Sequence, residues 1–290
     1  MNTIKTAALM ALLGAVMVAC GGALGGHEGA MIMLVIALGV NFGSYWYSDT
    51  MVLKMYQANP ITRAQAPELY GLVEKLAQKA DLPMPKVCVI NSETPNAFAT
   101  GRSPSHAAVA VTTGIMRILD YDELSGVLAH ELSHVRHRDT LISTVAASMA
   151  TVISYIAQMA QWAAIFGGGR SSDRDDNGGA LGFLFTIIVA PLAAMLIQLA
   201  ISRSREYDAD KSGGELCGNP RYLARALEKL DYAAAHLRPM DAATPSTAHL
   251  FIVNPLKNAK MSFAGLFSTH PSTAERVPRL EEQAKEGGYR

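Results

Sequence analysis

Four long segments without Asp, Glu, Lys or Arg constrain the fold of this chain more than any other feature. They occupy residues 6–26, 29–48, 140–169 and 177–202 of 290. A helix needs about 20 mainly apolar residues to cross a membrane, and four uncharged segments of that length are difficult to bury in a soluble domain of this size. They predict four transmembrane helices, paired as two hairpins.

The start of the chain also has some features of a signal peptide. Lys5 precedes an apolar stretch at residues 9–19. A second apolar segment follows almost at once, which favours a retained hairpin over a cleaved leader. The composition agrees with a membrane protein, because 17% of the residues are charged, compared with roughly 25% in soluble domains. The formal net charge of zero gives no indication of a nucleic-acid partner.

The positions of the basic residues predict which side of the membrane holds the rest of the chain. With four spans, both termini and the long middle segment share one side, and the loops at 25–28 and 167–176 lie on the other. Those loops contain only two basic residues, Arg170 and Arg174. Because basic residues near span ends mark the cytosolic side, we expect the soluble parts to be cytosolic.

The chain is therefore expected to divide into four parts. These are a first hairpin, the first part of a soluble domain, a second hairpin and the rest of the domain, at residues 1–48, 49–139, 140–202 and 203–290. Apolar residues at helical spacing predict soluble helices at 67–80, 124–138, 221–235 and 275–284. Asp120 or Asp122 is the expected cap of the second of these helices.

Short segments rich in β-branched residues complete the expected soluble domain. They predict strands at residues 86–91 and 107–113, with an extended segment at 96–100 between them. The stretch 234–267 shows no regular period, and we expect it to form a mobile cover over a site. The soluble domain is thus predicted to be of the α+β class.

A five-residue motif in the first soluble part carries the strongest chemical signal. Residues 130–134 are His-Glu-Leu-Ser-His, and side chains four apart in a helix lie one above the other on one face. His130 and His134 can therefore share a zinc ion, and Glu131 can act as the general base for a water molecule. The motif predicts the zinc site of a metalloprotease on a zincin-like α+β domain.

A catalytic zinc site needs a third protein ligand. His137 lies on the same helix face as the motif, but a further turn along, so a straight helix cannot easily bring it to the same ion. Glu206 is the better candidate, and Asp210, one turn further on, can accept the outer N–H of a ligand histidine. Glu215 is a reserve ligand, whereas Asp208 is expected to point off this face.

The candidate ligands lie close to the uncharged segments. His134 is six residues before the third segment, and Glu206 is four residues after the fourth. On continuous helices these offsets correspond to about 6–9 Å. We therefore expect the zinc ion just below the cytosolic surface of the membrane.

Further motifs extend over nearly the whole chain. They are Asn-Ala-Phe-Ala at 96–99, Val-Thr-Thr-Gly at 111–114, the segment 204–210, Thr-Ala-His-Leu-Phe at 247–251 and Phe-Ser-Thr-His-Pro at 267–271. Together with the N-terminal hairpin and the histidine motif, they resemble the HtpX family of membrane-integral metalloproteases, distant relatives of the CAAX prenyl protease. The sequence shows no departure from the catalytic pattern of that family.

The resemblance implies a function and a location. It implies ATP-independent zinc endopeptidase activity, with one Zn²⁺ per subunit, on damaged or misfolded membrane proteins. It also implies a multi-pass protein of the bacterial cytoplasmic (inner) membrane, with a part in stress response and quality control. Polypeptide substrates and the lipid bilayer are then the partners, nucleic acid is not, and the oligomeric state is left open.

The resemblance also implies roles for individual residues. His130, His134 and Glu206 would bind zinc, with Glu131 as the base. The segment formed by Asn96, Ala97, Phe98 and Ala99 would pair with an extended substrate as an added strand. Two further residues are expected near the site: His270 for stabilising the oxyanion, with a loop histidine as the alternative, and Arg276 for holding the site, with an ordinary salt bridge as the alternative.

Three other functions remain open alternatives. A zinc-binding membrane scaffold or chaperone would not need the base Glu131. A transporter usually places ionisable groups inside its spans, and the four segments contain none. A processing protease for one specific substrate is compatible with the sequence, and a single defined cleavage site in cells would favour it.

Overall fold

The computed structural model describes residues 2–145, 203–236, 251–252 and 271–289. The predicted second hairpin (140–202) therefore lies outside the described residues except for its first turns, which are helical at 140–145. The expected cover at 234–267 lies outside them except for 234–236 and 251–252. His270 also lies outside the described residues.

The N-terminal helix α1 (Asn2–Met55) folds back on itself as a hairpin. The reversal is at Gly26, whose φ of +61° suits a residue without a Cβ atom. The two halves pack closely, because a Cβ on Gly21 would lie 2.4 Å from the carbonyl oxygen of Gly29. Farther along, Asn41 Nδ2 donates a hydrogen bond to Met10 O at 3.1 Å.

One segment among the described residues is long and apolar enough to cross a membrane. It is Gly26–Tyr47, in the second half of α1, and only 11% of its most apolar window is buried. Thr6–Ala19, in the first half, is a shorter apolar stretch. Of the first two spans that the sequence predicts, the described residues thus hold one clear candidate, because the apolar stretch in the first half of α1 is shorter. Most of the last two predicted segments lies outside the described residues.

A four-stranded mixed sheet forms one layer of the remaining structure. Its strands are β1 (Asn59–Pro60), β2 (Lys86–Ile90), β3 (Ala97–Thr100) and β4 (Ala108–Thr112). Their spatial order is β1-β2-β4-β3; β2 and β4 are parallel, and the other two pairs are antiparallel. Among the described residues, β3 is therefore an edge strand. The predicted strands are present, and the sequence missed β1, which is too short to leave a periodic pattern.

Six helices accompany the sheet in the described residues, apart from α1 and the helical turns at 140–145. They are α2 (Pro67–Lys79), α3 (Thr113–Ile118), α4 (Tyr121–Arg136), α5 (Arg203–Cys217), α6 (Pro220–His236) and α7 (Thr273–Glu286). The four helices expected from apolar spacing are present with ends shifted by a few residues. The structure is mostly helical with a small sheet, in agreement with the expected α+β class.

The histidine motif lies in α4, whose start and end are both well defined by local contacts. Asp120 caps the helix by accepting from Glu123 N at 2.8 Å, and Glu123 Oε2 accepts from Asp120 N at 3.0 Å. Such a cap contributes about 1 kcal/mol. The helix ends at Arg136, and Arg138, with a φ of +59°, turns the chain towards Asp139.

Glycines allow α4 to contact two other helices at close range. A Cβ on Gly213 of α5 would lie 2.8 Å from His130 N, and a Cβ on Gly126 of α4 would lie 2.5 Å from Leu223 N of α6. Real Cβ atoms do not approach backbone so closely, so larger residues would force the helices apart. The close crossing brings the first turns of α5 over the histidines of α4.

Candidate active site

His130 and His134 face each other one turn apart on α4. Their Nε2 atoms are 3.2 Å apart, and His130 is completely buried while His134 is 13% exposed. Two neutral rings that both direct an Nε2 lone pair into the same space would repel each other. The arrangement is therefore favourable only with a proton or a cation between the rings.

Glu206, from the first turn of α5, completes the group. Its carboxylate oxygens lie 3.7 Å from Nε2 of each histidine, and donor atoms of the three residues all lie within 4.8 Å of one another. With zinc–nitrogen distances of 2.0–2.1 Å, neighbouring ligand atoms in a tetrahedral site are about 3.3 Å apart. The observed spacing fits a three-ligand metal site, and His₂Glu is a ligand set used by catalytic zinc.

Asp210 fixes the orientation of the first histidine. Its Oδ1 lies 3.0 Å from His130 Nδ1, so the ring proton is directed outward and Nε2 keeps its lone pair for a metal. This contact is the one that the spacing of Glu206 and Asp210 predicts.

Asp139 has the corresponding position behind the second histidine, and sequence reasoning missed it. Its Oδ2 lies 3.3 Å from His134 Nδ1, and its Oδ1 lies 3.6 Å from Arg205 NH1. No periodic signal indicates this contact, because it depends on the turn at Arg138. The only hint in the sequence was an acidic residue soon after the motif.

Arg276 lies behind Asp210 and is 1% exposed. It donates to both Asp210 oxygens, at 2.8 and 2.6 Å, and to Ile252 O at 3.3 Å. Its Nη2 is 3.5 Å from His130 Nδ1. Although burial opposes the charge, Arg276 holds the pKa of the Asp210 carboxyl well below its usual range. Arg276 thus forms a buried salt bridge directly behind the candidate ligand His130.

The two histidines have opposite pKa shifts in the metal-free protein. Burial lowers the pKa of His130, with Asp210 partly opposing that effect. Burial also acts to lower the pKa of His134, but neighbouring carboxylates, first Glu206 and then Asp139, raise it to about 9. The site thus attracts positive charge to the space between the ligand atoms, where the His134 proton and a metal ion would compete.

Glu131 lies beside this group and is 6% exposed. Its Oε2 accepts a hydrogen bond from Ala99 N of β3 at 2.9 Å. The bond holds the carboxylate between the edge strand and the ligand histidines, where a general base is required.

A cavity opens in front of Glu131, His134 and Glu206, with about 410 Å³ of empty space including its open mouth. It is lined by Phe98, Ala99, Glu131, His134, Asp139, Thr140, Ser143, Glu206, Phe251 and Ile252. The mixture of apolar walls and acidic groups suits a polypeptide backbone beside a metal. One wall is formed by Phe251 and Ile252, which belong to the stretch 234–267 that the sequence places over a site.

The four residues expected to bind substrate have different environments. Phe98 and Ala99 line the cavity, whereas Ala97 is buried in the main apolar core. Asn96 is 1% exposed, and its Oδ1 accepts from Ile252 N at 3.2 Å. Its side chain therefore stabilises the cavity wall through this hydrogen bond and does not line the cavity.

The edge strand offers its backbone to the cavity. Thr112 N donates to Asn96 O at 2.9 Å, so Asn96 faces β4. In an antiparallel pair the backbone groups of alternate residues face the partner, and those of Ala97 and Ala99 therefore face away from β4. The bond from Ala99 N to Glu131 agrees with this direction.

Three other residues considered at the sequence level are exposed. His137 follows the last residue of α4 as its C-cap, and Asp208 and Glu215 lie on the exposed face of α5. The expectations for His137 and Asp208 agree with these positions. Glu215 is not part of the group of possible metal ligands in the described residues.

Comparisons with known proteins show the family to which the chain belongs. The sequence profile of Peptidase family M48 matches residues 63–284. The chain is 57% identical over 277 residues to "Protease HtpX homolog" of Syntrophobacter fumaroxidans, covering 95% of this chain and 97% of that protein. It is 56% identical over 285 residues to "Protease HtpX homolog" of Thermodesulfovibrio yellowstonii, covering 98% and 99%.

A solved structure shares the fold. The crystal structure of S. mikatae Ste24p matches with a TM-score of 0.54 at 20% identity, covering 97% of this chain and 65% of that one. At this identity the likeness concerns the fold alone. This chain spans about two thirds of that structure.

Proposed function

The chain belongs to peptidase family M48 and is a metallopeptidase, and on this premise we propose that it is a zinc-dependent endopeptidase that degrades misfolded or damaged membrane proteins at the cytosolic face of the membrane. The observation that carries the proposal is the convergence of His130, His134 and Glu206 within 4.8 Å, with Glu131 beside them and a backbone edge opposite.

Each residue of the site has a distinct role in the proposed reaction. His130, His134 and Glu206 hold the zinc ion, with Asp210 and Asp139 orienting the two rings. A bound zinc ion supplies positive charge that polarises the scissile carbonyl and lowers the pKa of a water molecule.

Glu131 takes the proton of the attacking water and later passes it to the leaving amine. The hydrogen bond from Ala99 N keeps its carboxylate in place before substrate arrives. His270 remains a proposed stabiliser of the oxyanion.

The substrate is proposed to bind as an extra strand on β3. The backbone groups of Ala97 and Ala99 face away from β4, where Ala99 N donates to Glu131, and strand addition obtains affinity from backbone hydrogen bonds along such an edge. Such binding places few demands on substrate sequence. That property suits an enzyme that must act on many damaged proteins.

The surface of α1 supports membrane insertion. Large apolar side chains of the second half are exposed, including Ile32 (61%), Val35 (68%) and Phe42 (61%), so this helix is not the core helix of a soluble protein. It also differs from a cleaved signal sequence, because its end continues into the structure: Val52 and Tyr56 are buried in a cluster with Phe98. Together with the distribution of basic residues, this supports a multi-pass protein of the bacterial cytoplasmic membrane with its catalytic domain in the cytosol.

The proposal is tested with Glu131→Gln, using full-length zinc-loaded protein in detergent and an unfolded membrane protein as substrate. Zinc content and cleavage are measured together. We expect Glu131→Gln to keep its zinc and lose cleavage, because the amide cannot accept the proton. The matched control is Glu215→Gln, an exposed position, which should keep both.

Two results would contradict the proposal. If wild type and Glu131→Gln both hold zinc and cleave alike, Glu131 is not the base. If both hold zinc and neither cleaves, the alternative of a non-hydrolytic zinc-binding scaffold or chaperone is favoured. Cleavage of a single defined substrate only would favour the specific processing protease.

A further inference from the structure

The end of α1 and the edge strand β3 lie side by side and touch at two levels. At one level the guanidinium of Arg102 lies 4.9 Å from the ring centroid of Trp46, and its NH1 donates to Trp46 O at 3.3 Å. At the other, the rings of Tyr56 and Phe98 are 5.2 Å apart. Ten residues of helix span about 15 Å. The chain leaves β3 after Thr100, so the four residues from Phe98 to Arg102 span at most about 13 Å. The similar lengths mean that β3 runs alongside the helix.

The upper of these levels coincides with the end of the candidate span. The apolar segment ends at Tyr47, and Trp46 and Tyr47 are 45% and 59% exposed. Aromatic residues at the end of a membrane helix lie at the level of the lipid headgroups. The first charged residue after the span is Asp49. Arg102, stacked on Trp46, therefore lies at the membrane surface.

The catalytic level lies a short, definable distance below that surface. Ala99 N contacts Glu131 at 2.9 Å, and Ala99 is three residues from Arg102, which corresponds to at most about 10 Å, because the chain leaves β3 after Thr100. Residues on the opposite side of the site also lie next to predicted membrane segments. Asp139, which contacts His134, immediately precedes the third uncharged segment, and it pairs at 3.6 Å with Arg205, which follows the fourth.

We propose that this geometry makes the enzyme cut its membrane substrates at a fixed distance from the bilayer, about three to five extended residues from the end of the substrate's own span. This inference rests on the proposed function and specifies its substrate class. A substrate strand paired with the outer edge of β3 has one end beside Arg102 and Trp46 at the membrane surface. Its residues at the level of Ala99 then face Glu131 and the metal ligands.

A fixed cutting distance from the bilayer also determines which membrane proteins are cut. Strand pairing alone does not choose a position along an unfolded chain, since every backbone offers the same groups. A fixed membrane anchor adds that choice. A membrane protein whose first cytosolic residues are unfolded can reach the site, whereas one whose span is followed directly by folded structure cannot. The distance thus separates damaged from intact membrane proteins.

The test uses the wild-type full-length chain, loaded with zinc and reconstituted in liposomes. The substrate is a single-span protein with an unfolded tail on the same side as the catalytic domain. In two further substrates, three or six uncharged residues are inserted between span and tail. The matched control is the same tail without a span, and Glu131→Gln is the inactive enzyme. Initial cut positions are mapped by mass spectrometry.

We expect the first cuts to cluster within about three to five residues of the span and to stay there in the insertion substrates, while the span-free tail is cut at scattered positions. Cuts that move with the tail sequence, or that are as scattered as in the span-free tail, overturn the inference. In those cases the loss of cleavage in Glu131→Gln still supports the protease. If wild type and Glu131→Gln cannot be distinguished on any substrate, the proposed function itself fails.

Discussion

Arg276 donates paired hydrogen bonds to Asp210, at 2.8 and 2.6 Å, in a position where the two side chains are only 1% and 5% exposed. Through this pair, the charge of Asp210 is balanced while its Oδ1 remains 3.0 Å from His130 Nδ1. The same guanidinium contacts Ile252 O at 3.3 Å. One side chain therefore links a candidate metal ligand to a wall of the substrate cavity.

Arg276→Ala should lower the free energy of unfolding by about 3–5 kcal/mol, because removing one partner of a buried pair leaves the other charge uncompensated. Thermal unfolding of the metal-free protein in detergent measures the effect. Arg279→Ala is the matched control, since Arg279 is exposed on the same helix and should cost less than about 1 kcal/mol. Equal losses in the two variants would contradict a structural role for the buried pair.

Asp139→Asn should weaken zinc binding about 10–100-fold, the usual cost of removing a carboxylate behind a ligand histidine. The amide cannot accept the His134 proton with the same strength, so the ring loses basicity and orientation. Competition with a chromogenic chelator measures the affinity directly. Asp208→Asn, an exposed position on α5, is the control. Unchanged affinity in Asp139→Asn would show that the contact does not position the ring.

Gly213→Ala should separate α5 from α4 and weaken zinc binding, because its Cβ would lie 2.8 Å from His130 N and 2.9 Å from His130 Cα. The backbone of a helix cannot yield as a flexible side chain can. Gly71→Ala is the control: its Cβ meets nothing within 4 Å, and alanine in a helix is favoured by up to about 1 kcal/mol. If both variants bind zinc like wild type, the crossing tolerates a side chain.

The metal-free protein should lose stability as pH rises from about 6.5 to 9. The pKa of His134 is raised to about 9 in the folded state, compared with an ordinary value near 6.5. A group with a raised folded pKa stabilises the protein below its unfolded pKa and loses that contribution as pH passes the folded value.

Zinc binding should show the opposite pH trend, because the metal displaces the His134 proton and binding therefore strengthens over the same range. Melting temperature and chelator competition at a series of pH values measure the two trends. A melting temperature of the metal-free protein that rises across this range would contradict the assigned protonation of His134. Zinc-loaded protein is the control and should show a weaker dependence.

The sequence predicted much of the site because its signals are local. His130 and His134 share a face because helix geometry places residues four apart together, and Asp120 was one of the two caps that the sequence offered. Glu206 was identified from its spacing to Asp210 and from its family resemblance. The edge position of β3, by contrast, depends on the order of strands in the sheet. β3 pairs with β4, which follows it in the chain, and β2 lies on the other side of β4.

The tertiary structure added contacts that no local pattern encodes. Asp139 reaches His134 only because Arg138 turns the chain with a φ of +59°. The side chain of Asn96 was expected at the substrate, but it accepts from Ile252 N, more than 150 residues away in the sequence. The charge pattern of four segments predicted four spans, and the described residues provide one clear candidate.

By itself, the sequence indicated the main helices and strands, the apolar hairpin at the start of the chain, and the candidate ligands His130 and His134, since periodicity, capping and charge depletion act over a few neighbouring residues. Only the tertiary structure decided how these elements pack. Gly213 allows α5 to cross α4 beside His130, Arg276 is buried against Asp210, and β3 lies alongside the end of α1. These relations depend on close packing between segments far apart in the chain, where a single Cβ atom or a buried charge determines whether two surfaces can approach.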